Sequence, residues 1–211
     1  HKQTEMFDGL HVPNEKYAYI PNGIDDELFI DKTTFKQKNG KRIIYFSNMI
    51  SEKGYAHVLE AAKAFKHTDF EFYFSGKFYN EDEQKAFIQV IEDLPRVTYI
   101  NGVYGTDKKH LLEKMDYFIL PSEYKDETLP ISMLEAMANA LYIIVTPRGV
   151  IPEVLNLETS SLLAEVNASE VIDAIIDAHR PVDYESYNIN QLKKKYDRQT
   201  VLASILGVSL G

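Results

Sequence analysis

The feature that most constrains this chain is a regular alternation, from residue 41 onward, of short apolar β-rich runs with longer amphipathic stretches. This pattern is typical of a parallel sheet whose crossover helices cover both faces. The predicted strands are 42–47, 70–75, 97–100, 117–120, 142–146 and 161–164. The predicted helices are 53–66, 81–92, 107–115, 130–139 and 168–178. We therefore expect an α/β fold with a doubly wound parallel sheet.

The segments on either side of this pattern differ from it in composition. Residues 1–40 are predicted to hold a short helix and then an irregular connector rich in Asn, Gly, Pro and Asp. Residues 181–211 follow a turn signal at Arg180-Pro181 and are predicted to carry one last helix over 184–206. The predicted boundaries are therefore 1–40, 41–180 and 181–211.

Charge and composition exclude several function classes. The 23 Lys and Arg against 32 Asp and Glu give a net charge of −9, which disfavours a nucleic-acid partner. The chain has no Cys, which excludes a disulfide framework, a thiolate zinc site and a Cys nucleophile, and favours a cytoplasmic location. No apolar run approaches the roughly 18 residues of a spanning helix, and the first residues lack signal-peptide character.

The loop over 121–130 carries the most informative polar residues. Glu127 precedes a predicted helix opened by Pro130, and Glu135 follows Glu127 by eight positions. Glu135 is predicted to form one polar stripe of this helix with Ser132 and Asn139. In a sheet of this kind, ligands bind where strands end and helices begin. The free N–H groups and partial positive charge of the helix start suit a phosphate between the two carboxylates. The alternative is that both Glu residues complement the helix dipole and face solvent.

Two further segments have a functional and a structural interpretation. Lys53-Gly54 follows the first predicted strand, where the Lys ammonium can reach a phosphate as a point charge. An ordinary exposed Lys is the alternative. Residues 19–25, with the sequence YIPNGID, are interpreted as a tight turn in which Gly takes a special backbone angle.

These pieces together resemble one known family. They are I-P-N-G-I-D at 20–25, K-G at 53–54, P-S-E at 121–123, E-x7-E from Glu127 to Glu135 followed by A-M-A, and G-V-I-P-E at 149–153. In this order they resemble the carboxyl-terminal half of family 4, group 1, retaining glycosyltransferases over nearly the whole chain. The resemblance implies a GT-B architecture, in which two Rossmann-like domains face each other across a cleft. It also implies that the domain present here holds most of the nucleotide-sugar donor.

The resemblance implies a role for each matching residue around the donor sugar. Glu127 would contact the sugar hydroxyls and is the candidate catalytic residue. It is not assigned as a nucleophile, because retaining members of this fold are discussed in terms of front-face attack, with the leaving phosphate taking the acceptor proton. The backbone of Thr128, Leu129 and Ile131 would face sugar and phosphate.

The nucleotide part of the donor is assigned in the same way. Lys53 would pair with the pyrophosphate, and Glu135 would accept from the ribose hydroxyls. Gly102 and Val103 would lie against the nucleobase. Asn22 and Asp25, in the connector, are expected to be structural.

One departure from the family pattern concerns charge. The family usually has Gly-Arg where this chain has Ser47-Asn48, so the second cation on the pyrophosphate is absent from its usual place. Asn48 supplies a hydrogen-bond donor without charge, and Arg148 or Lys77 are candidates to compensate. Val150 also replaces the second Gly of the G-G-I-P-E turn.

The predicted function is transfer of a hexose, with retention, from a nucleotide-diphosphate sugar to a glycan or lipid-linked acceptor in surface polysaccharide or glycolipid synthesis. UDP is the preferred nucleotide. No metal or cofactor is expected, because Asp-x-Asp and His ligand spacings are missing, as are the Gly-rich dinucleotide and P-loop motifs. The alternatives are a non-catalytic nucleotide-binding or interaction module and a GT-B-type nucleotide-sugar epimerase.

The position of the connector motif leads to a further expectation. Only about twenty residues precede it, whereas a Rossmann-like domain needs on the order of 100. We therefore expect an acceptor-holding amino-terminal domain outside this chain, and no efficient transfer by the chain alone. An exposed apolar strip with Val201, Leu202, Ile205 and Leu206 is expected on the last helix. In the full-length enzyme, a peripheral position at the inner face of the membrane is compatible with these assignments.

Overall fold

The computed structural model describes residues 22–33, 35, 40–181 and 183–206. The helix predicted within the first twenty residues and the 19–21 part of the connector motif lie outside these ranges. No helix in the described part of the chain is long and apolar enough to cross a membrane.

Six strands of the described chain form one sheet in which every neighbouring pair is parallel. They are β1 (Arg42–Phe46), β2 (Glu71–Ser75), β3 (Val97–Ile100), β4 (Tyr117–Leu120), β5 (Tyr142–Val145) and β6 (Ser160–Leu162). Their spatial order is β3-β2-β1-β4-β5-β6, so the order reverses between β1 and β4. The predicted doubly wound parallel sheet is confirmed, with its switch point at the ends of β1 and β4.

Helices connect the strands on both faces of the sheet. They are α1 (Tyr55–Ala64), α2 (Glu81–Ile91), α3 (Gly105–Leu112), α4 (Ile131–Ala138), α5 (Ile151–Val154), α6 (Ala168–Asp177), α7 (Ile189–Tyr196) and α8 (Arg198–Leu206). Short 3-10 turns cover Asp26–Leu28, Ser51–Lys53 and Glu185–Tyr187. The five predicted crossover helices agree with α1, α2, α3, α4 and α6 to within a few residues. The predicted helices do not include the short helix α5.

The core lies between the sheet and its two helical layers. Every residue of β4 and β5 is buried, and so are the central residues of β1. Crossover helices on both faces explain why these strands are continuous apolar runs rather than alternating ones. The carboxyl edge of the central strands is therefore a rigid platform for the loops that follow them.

The prediction of one helix over 184–206 is wrong. The chain extends at Asp197, with ψ of 134°, and separates α7 from α8. The carboxylate of Asp197 accepts from the Thr200 N–H at 3.0 Å, which is the contact of a helix-capping residue. Ile24 of the connector pairs with Asp197 in a parallel bridge at the same place. The cap that Asp197 provides and its pairing with Ile24 thus separate the end of α7 from the start of α8.

The expected apolar strip on the last helix is only partly exposed. Val201 is buried, because it packs beside Gly23 of the connector. Leu202, Ile205 and Leu206 are exposed, with Leu206 at 72%. The carboxyl-terminal helices thus return to the connector and leave one apolar side uncovered by the described residues.

Candidate functional site

Two loops meet at the switch point of the sheet. The Glu123 N–H, after β4, donates to the Glu52 carbonyl, after β1, at 2.7 Å. Gly54 has φ of +77°, and a Cβ there would lie 2.1 Å from the carbonyl oxygen of Pro121. Only Gly permits this approach of the two backbones. The contact brings the residue before Gly54 to the loop that carries Glu127.

Lys53 and Glu127 form an ion pair across these two loops. The side chains are 15% and 7% exposed, and Lys53 Nζ lies 4.7 Å from the ring centroid of Tyr124. Lys53 ends the 3-10 turn Ser51–Lys53, whereas the sequence placed it in the first crossover helix. The structure therefore brings two predicted site residues, 74 positions apart, into direct contact.

Two backbone carbonyls after Glu127 accept hydrogen bonds that fix the loop in place. The Thr128 carbonyl accepts from the Val150 N–H at 3.1 Å, and the Leu129 carbonyl accepts from Asn22 Nδ2 at 2.8 Å. Within the described residues, neither the Thr128 N–H nor the Leu129 N–H has an acceptor. The contact of Asn22 agrees with its expected structural role. The two N–H groups are free to meet a ligand.

Helix α4 begins directly after this loop. Pro130, predicted in the first turn, is instead the residue before the helix, with an extended ψ of 126°. Ile131 starts the helix, and its side chain is 48% exposed. The N–H groups of a first helical turn lack partners within the helix and carry partial positive charge. This end of α4 therefore suits an anion.

Glu135, one turn further along α4, pairs with a residue that the sequence motifs did not mark. Lys108 Nζ of α3 lies 2.6 Å from Glu135 Oε1, and the side chains are 19% and 7% exposed. Burial raises the pKa of Glu135, and the hydrogen bond and charge of Lys108 oppose that rise. No spacing identifies Lys108, because the contact joins two crossover helices across 27 positions of the chain.

Asn139 does not belong to a ligand-facing polar stripe, although its spacing from Ser132 and Glu135 predicted one. It is fully buried, and its Nδ2 donates to the carbonyls of Leu28 and Glu135, both at 2.9 Å. Asn139 thus joins the connector to α4. The polar stripe is reduced to Glu135 and Ser132.

The loop after β3 has the geometry of a surface turn. Gly102 has φ of +74°, and its N–H donates to the Ile100 carbonyl at 2.7 Å. The backbone N–H and carbonyl of Val103 make no hydrogen bond to the described residues. Tyr104 follows and is 67% exposed. The two residues predicted against the nucleobase thus offer unused backbone groups at the carboxyl edge.

Asn48 lies at the same edge and contacts a tyrosine. Its Nδ2 donates to the hydroxyl of Tyr79 at 2.9 Å. Arg148 Nε lies 3.4 Å from the Ser122 carbonyl, on the loop that carries Glu127. Lys77 Nζ lies 5.6 Å from the ring centroid of Tyr104, beside Gly102. The two proposed substitutes for the missing Arg therefore have different neighbours, Arg148 on the loop after β4 and Lys77 on the loop after β3.

A cavity of the described chain lies away from this edge. It measures about 230 Å³ between α4, α5 and α7, and Lys195 is the one charged residue among those described in its lining. A cleft of about 60 Å³ opens beside Lys108, next to Asp25 and Leu28. We locate the candidate site at the carboxyl edge, because the buried carboxylates and their lysines lie there. The described residues contain no group of three or more His, Asp or Glu placed to hold a metal ion.

Comparison with known proteins relates this chain to one family. The family model of glycosyl transferases group 1 matches residues 26–183. The amylovoran biosynthesis glycosyltransferase AmsK of Erwinia amylovora is 25% identical over 173 residues, which cover 79% of this chain and 42% of AmsK.

Solved structures show the same fold. HepE of Anabaena, in complex with UDP and glucose, has a TM-score of 0.76 and 17% identity, covering 97% of this chain and 59% of HepE. The carboxyl-terminal domain of the group 1 family protein LpcC of Francisella tularensis has a TM-score of 0.58 and 17% identity, covering 89% of this chain and 100% of that domain.

The chain spans 42% of AmsK and 59% of the HepE chain, about half the length of such relatives. Its fold is that of the carboxyl-terminal domain of GT-B glycosyltransferases, as the resemblance implied. The family model extends from the connector through α6 and includes all six strands and both Lys–Glu pairs. The chain therefore belongs to the glycosyl transferases group 1 family.

Proposed function

We propose that this chain is the donor-binding domain of a retaining glycosyltransferase that transfers a hexose from a nucleotide-diphosphate sugar to a glycan or lipid-linked acceptor. The observation that carries the proposal is the placement of two buried Lys–Glu pairs around the start of α4. HepE, whose structure contains UDP and glucose, supports UDP as the nucleotide. AmsK, an amylovoran biosynthesis enzyme, supports a role in surface polysaccharide or glycolipid synthesis.

The diphosphate is assigned to Lys53 and the start of α4. In the free protein, Glu127 neutralises the Lys53 ammonium at this position. A bound diphosphate brings its own negative charge and competes with Glu127 for that ammonium. The partial positive end of α4 adds a second attraction, which lets a protein of net charge −9 hold an anion.

The sugar is assigned to Glu127 and to the free N–H groups of Thr128 and Leu129. When the diphosphate takes Lys53, the carboxylate of Glu127 is released toward the sugar. Its negative charge then opposes the positive charge that develops on the anomeric carbon as the diphosphate leaves. Groups preorganised for such developing charges are a large source of catalysis. The acceptor then attacks from the face that the diphosphate leaves, which retains the configuration.

The nucleoside is assigned to Glu135 and the loop after β3. A buried carboxylate accepts the ribose hydroxyls, and the unused backbone groups of Val103 face the edge of the base. All of these contacts use Lys, carboxylate and backbone groups, so the proposal includes no metal. Arg148 or Lys77 is assigned the second positive charge that Asn48 does not supply.

The test is a panel of UDP- and GDP-linked sugars read by thermal shift, with and without EDTA. A ligand that binds the folded state alone raises the apparent stability by RT ln(1 + [L]/Kd). We expect UDP-sugars to give the largest shift and EDTA to leave it unchanged. A shift that EDTA abolishes would contradict the metal-free site, and no shift with any nucleotide sugar would contradict the donor-binding role. Binding without donor hydrolysis or transfer in the full-length protein would favour a non-catalytic module.

A further inference from the structure

No step of the proposed reaction uses Lys108, a lysine whose side chain is mostly covered. Its ammonium meets Glu135 at 2.6 Å, and its side chain is 19% exposed. Lys108 is the fourth of the eight residues of α3 and lies outside the last turn, where the helix dipole favours a cation. The helix dipole therefore does not explain its position, whereas the carboxylate of Glu135 does.

The charged groups around Glu135 come from three elements. Burial raises the pKa of Glu135, and Lys108 of α3 is the strongest influence that lowers it. Asp25 of the connector raises it further, and Arg198 of α8 lowers it. Asp25 and Arg198 also pair with each other at 2.7 Å, so much of their influence cancels. Lys108 is thus the main counter-charge of this carboxylate.

We propose, on the basis of the proposed function, that Lys108 is a positioning residue that keeps the Glu135 carboxylate charged and oriented to accept both ribose hydroxyls of the nucleotide. An ionised carboxylate has about four acceptor sites on its two oxygens, and Lys108 occupies one on Oε1. Oε2 and the second site on Oε1 serve the hydroxyls. Hydrogen bonds to an ionised acceptor are roughly twice as strong as neutral ones, so a protonated Glu135 would bind ribose more weakly.

The position of the pair on α4 separates this role from direct phosphate binding. Glu135 lies four residues beyond Ile131, about 6 Å along the axis at 1.5 Å per residue. The proposed phosphate site, formed by Lys53 and the start of α4, lies at the Ile131 end of this segment. Lys108 lines the cleft beside Asp25 and Leu28 and pairs with Glu135, whereas Lys53 pairs with Glu127. Its effect on binding therefore acts through Glu135.

The experiment compares Lys108→Met and Lys108→Arg with a matched control, Lys109→Met. Lys109 lines the same cleft and carries the same charge, but the ion pair with Glu135 belongs to Lys108. The first readout is the NMR titration of the Glu135 side-chain carboxyl in the free protein. The second is the Kd of UDP-glucose between about pH 5.5 and about pH 8.5. UDP-glucose is the probe because both of its phosphates are diesters and do not titrate in that range.

In Lys108→Met we expect Glu135 to titrate at a higher pH, since desolvation is no longer opposed by the lysine. We expect UDP-glucose to bind more weakly near pH 6, by up to about tenfold for each unit of that shift, and the loss to shrink toward pH 8, because the carboxylate ionises as pH rises. Lys108→Arg restores both readouts, and Lys109→Met changes neither. In a Glu135→Gln background, Lys108→Met adds less than about twofold, as expected for residues that act as one unit.

Two results would overturn the inference. One is an unchanged Glu135 titration in Lys108→Met while the wild-type chain binds UDP-glucose, which would leave the proposed function intact. The other is a loss in Lys108→Met that persists in the Glu135→Gln background and weakens with salt, which would assign Lys108 to a phosphate. If Glu135 titrates higher but the wild-type chain binds no nucleotide sugar, the proposed function fails, and the positioning role of Lys108 fails with it.

Discussion

Two kinds of Lys–carboxylate pair in this protein have similar geometry and opposite surroundings. Lys108 and Glu135 at the carboxyl edge lie 2.6 Å apart with side chains 19% and 7% exposed. Lys41 and Asp69 at the amino edge also lie 2.6 Å apart, but their side chains are 47% and 67% exposed. An exposed pair is screened by water and contributes about 0–1 kcal/mol. Distance alone therefore does not distinguish a site from a solvated surface.

Burial gives the carboxyl-edge pairs a different chemistry. Removing one partner of a buried pair leaves the other charge unpaired, which costs free energy. A ligand that supplies a replacement charge or hydroxyl groups can displace one partner without leaving the other unpaired. On the proposed assignment, a diphosphate opens the Lys53–Glu127 pair, whereas Lys108–Glu135 stays paired while the remaining acceptor sites of Glu135 take the ribose hydroxyls. The amino-edge pair has no comparable role.

The largest expected effect of this difference is on stability. Lys53→Met leaves Glu127 buried without its partner, and we expect the free energy of unfolding to fall by about 3–5 kcal/mol. The matched change at the amino edge, Lys41→Met, is expected to cost at most about 1 kcal/mol. Urea unfolding of the two variants measures both values. Equal losses would show that burial does not separate the two pairs.

A second prediction separates the two buried carboxylates by ligand. Glu135→Ala should weaken UDP and UDP-glucose alike, because the ribose is common to both, by about 1.5–3 kcal/mol for hydrogen bonds to a charged group. Glu127→Ala should spare UDP and weaken UDP-glucose or its turnover. Calorimetric titration with both ligands gives the comparison. Parallel losses for both ligands in both variants would contradict the assignment of sugar and ribose.

A third, smaller effect concerns the missing cation. Asn48→Arg gives up the hydrogen bond to Tyr79 and is expected to tighten UDP binding by about 1 kcal/mol. If Arg148 already supplies the charge, Arg148→Ala weakens binding and the two changes combine non-additively. Lys77→Ala is the matched control, because Lys77 is the other candidate for the second positive charge. Full additivity of Asn48→Arg with both alanine variants would exclude a shared phosphate contact.

The smallest prediction concerns pH. The pKa of Glu135 is raised in the folded protein, so above its ordinary value of 4.5 the folded state holds this proton more tightly than the unfolded chain. The free energy of unfolding should therefore fall as pH rises through the window above 4.5, with a slope of less than about 1.4 kcal/mol per pH unit. In Glu135→Gln this component is absent. An identical pH profile in both proteins would show that Glu135 titrates normally.

Most of the fold could be predicted from the sequence because its signals are local. The continuous apolar runs of β4 and β5 indicate strands buried on both faces, and the polar segments between them indicate loops. The break at Asp197 could not be predicted in the same way. The residue caps α8 and pairs with Ile24, and the second contact joins the two ends of the described chain.

The candidate site could be predicted only in part. The motif spacing identified Glu127, Glu135 and Lys53, and the topology brings the loops that carry them to one edge. The contact of Lys108 with Glu135 depends on how α3 packs beside α4, which no spacing along the chain encodes. The prediction for Asn139 fails in the opposite way. Its spacing along α4 predicted a side chain that faces the site, but the side chain is buried and contacts the connector.

The most direct test of the donor site is an NMR titration of the chain with UDP-glucose, following backbone amides. We expect chemical-shift changes at Lys53, Val103 and Thr128 and along the first turn of α4, with none at Lys41 or Asp69 on the amino edge. Changes confined to the cavity of about 230 Å³ between α4, α5 and α7, with none at Thr128 or Glu135, would contradict it.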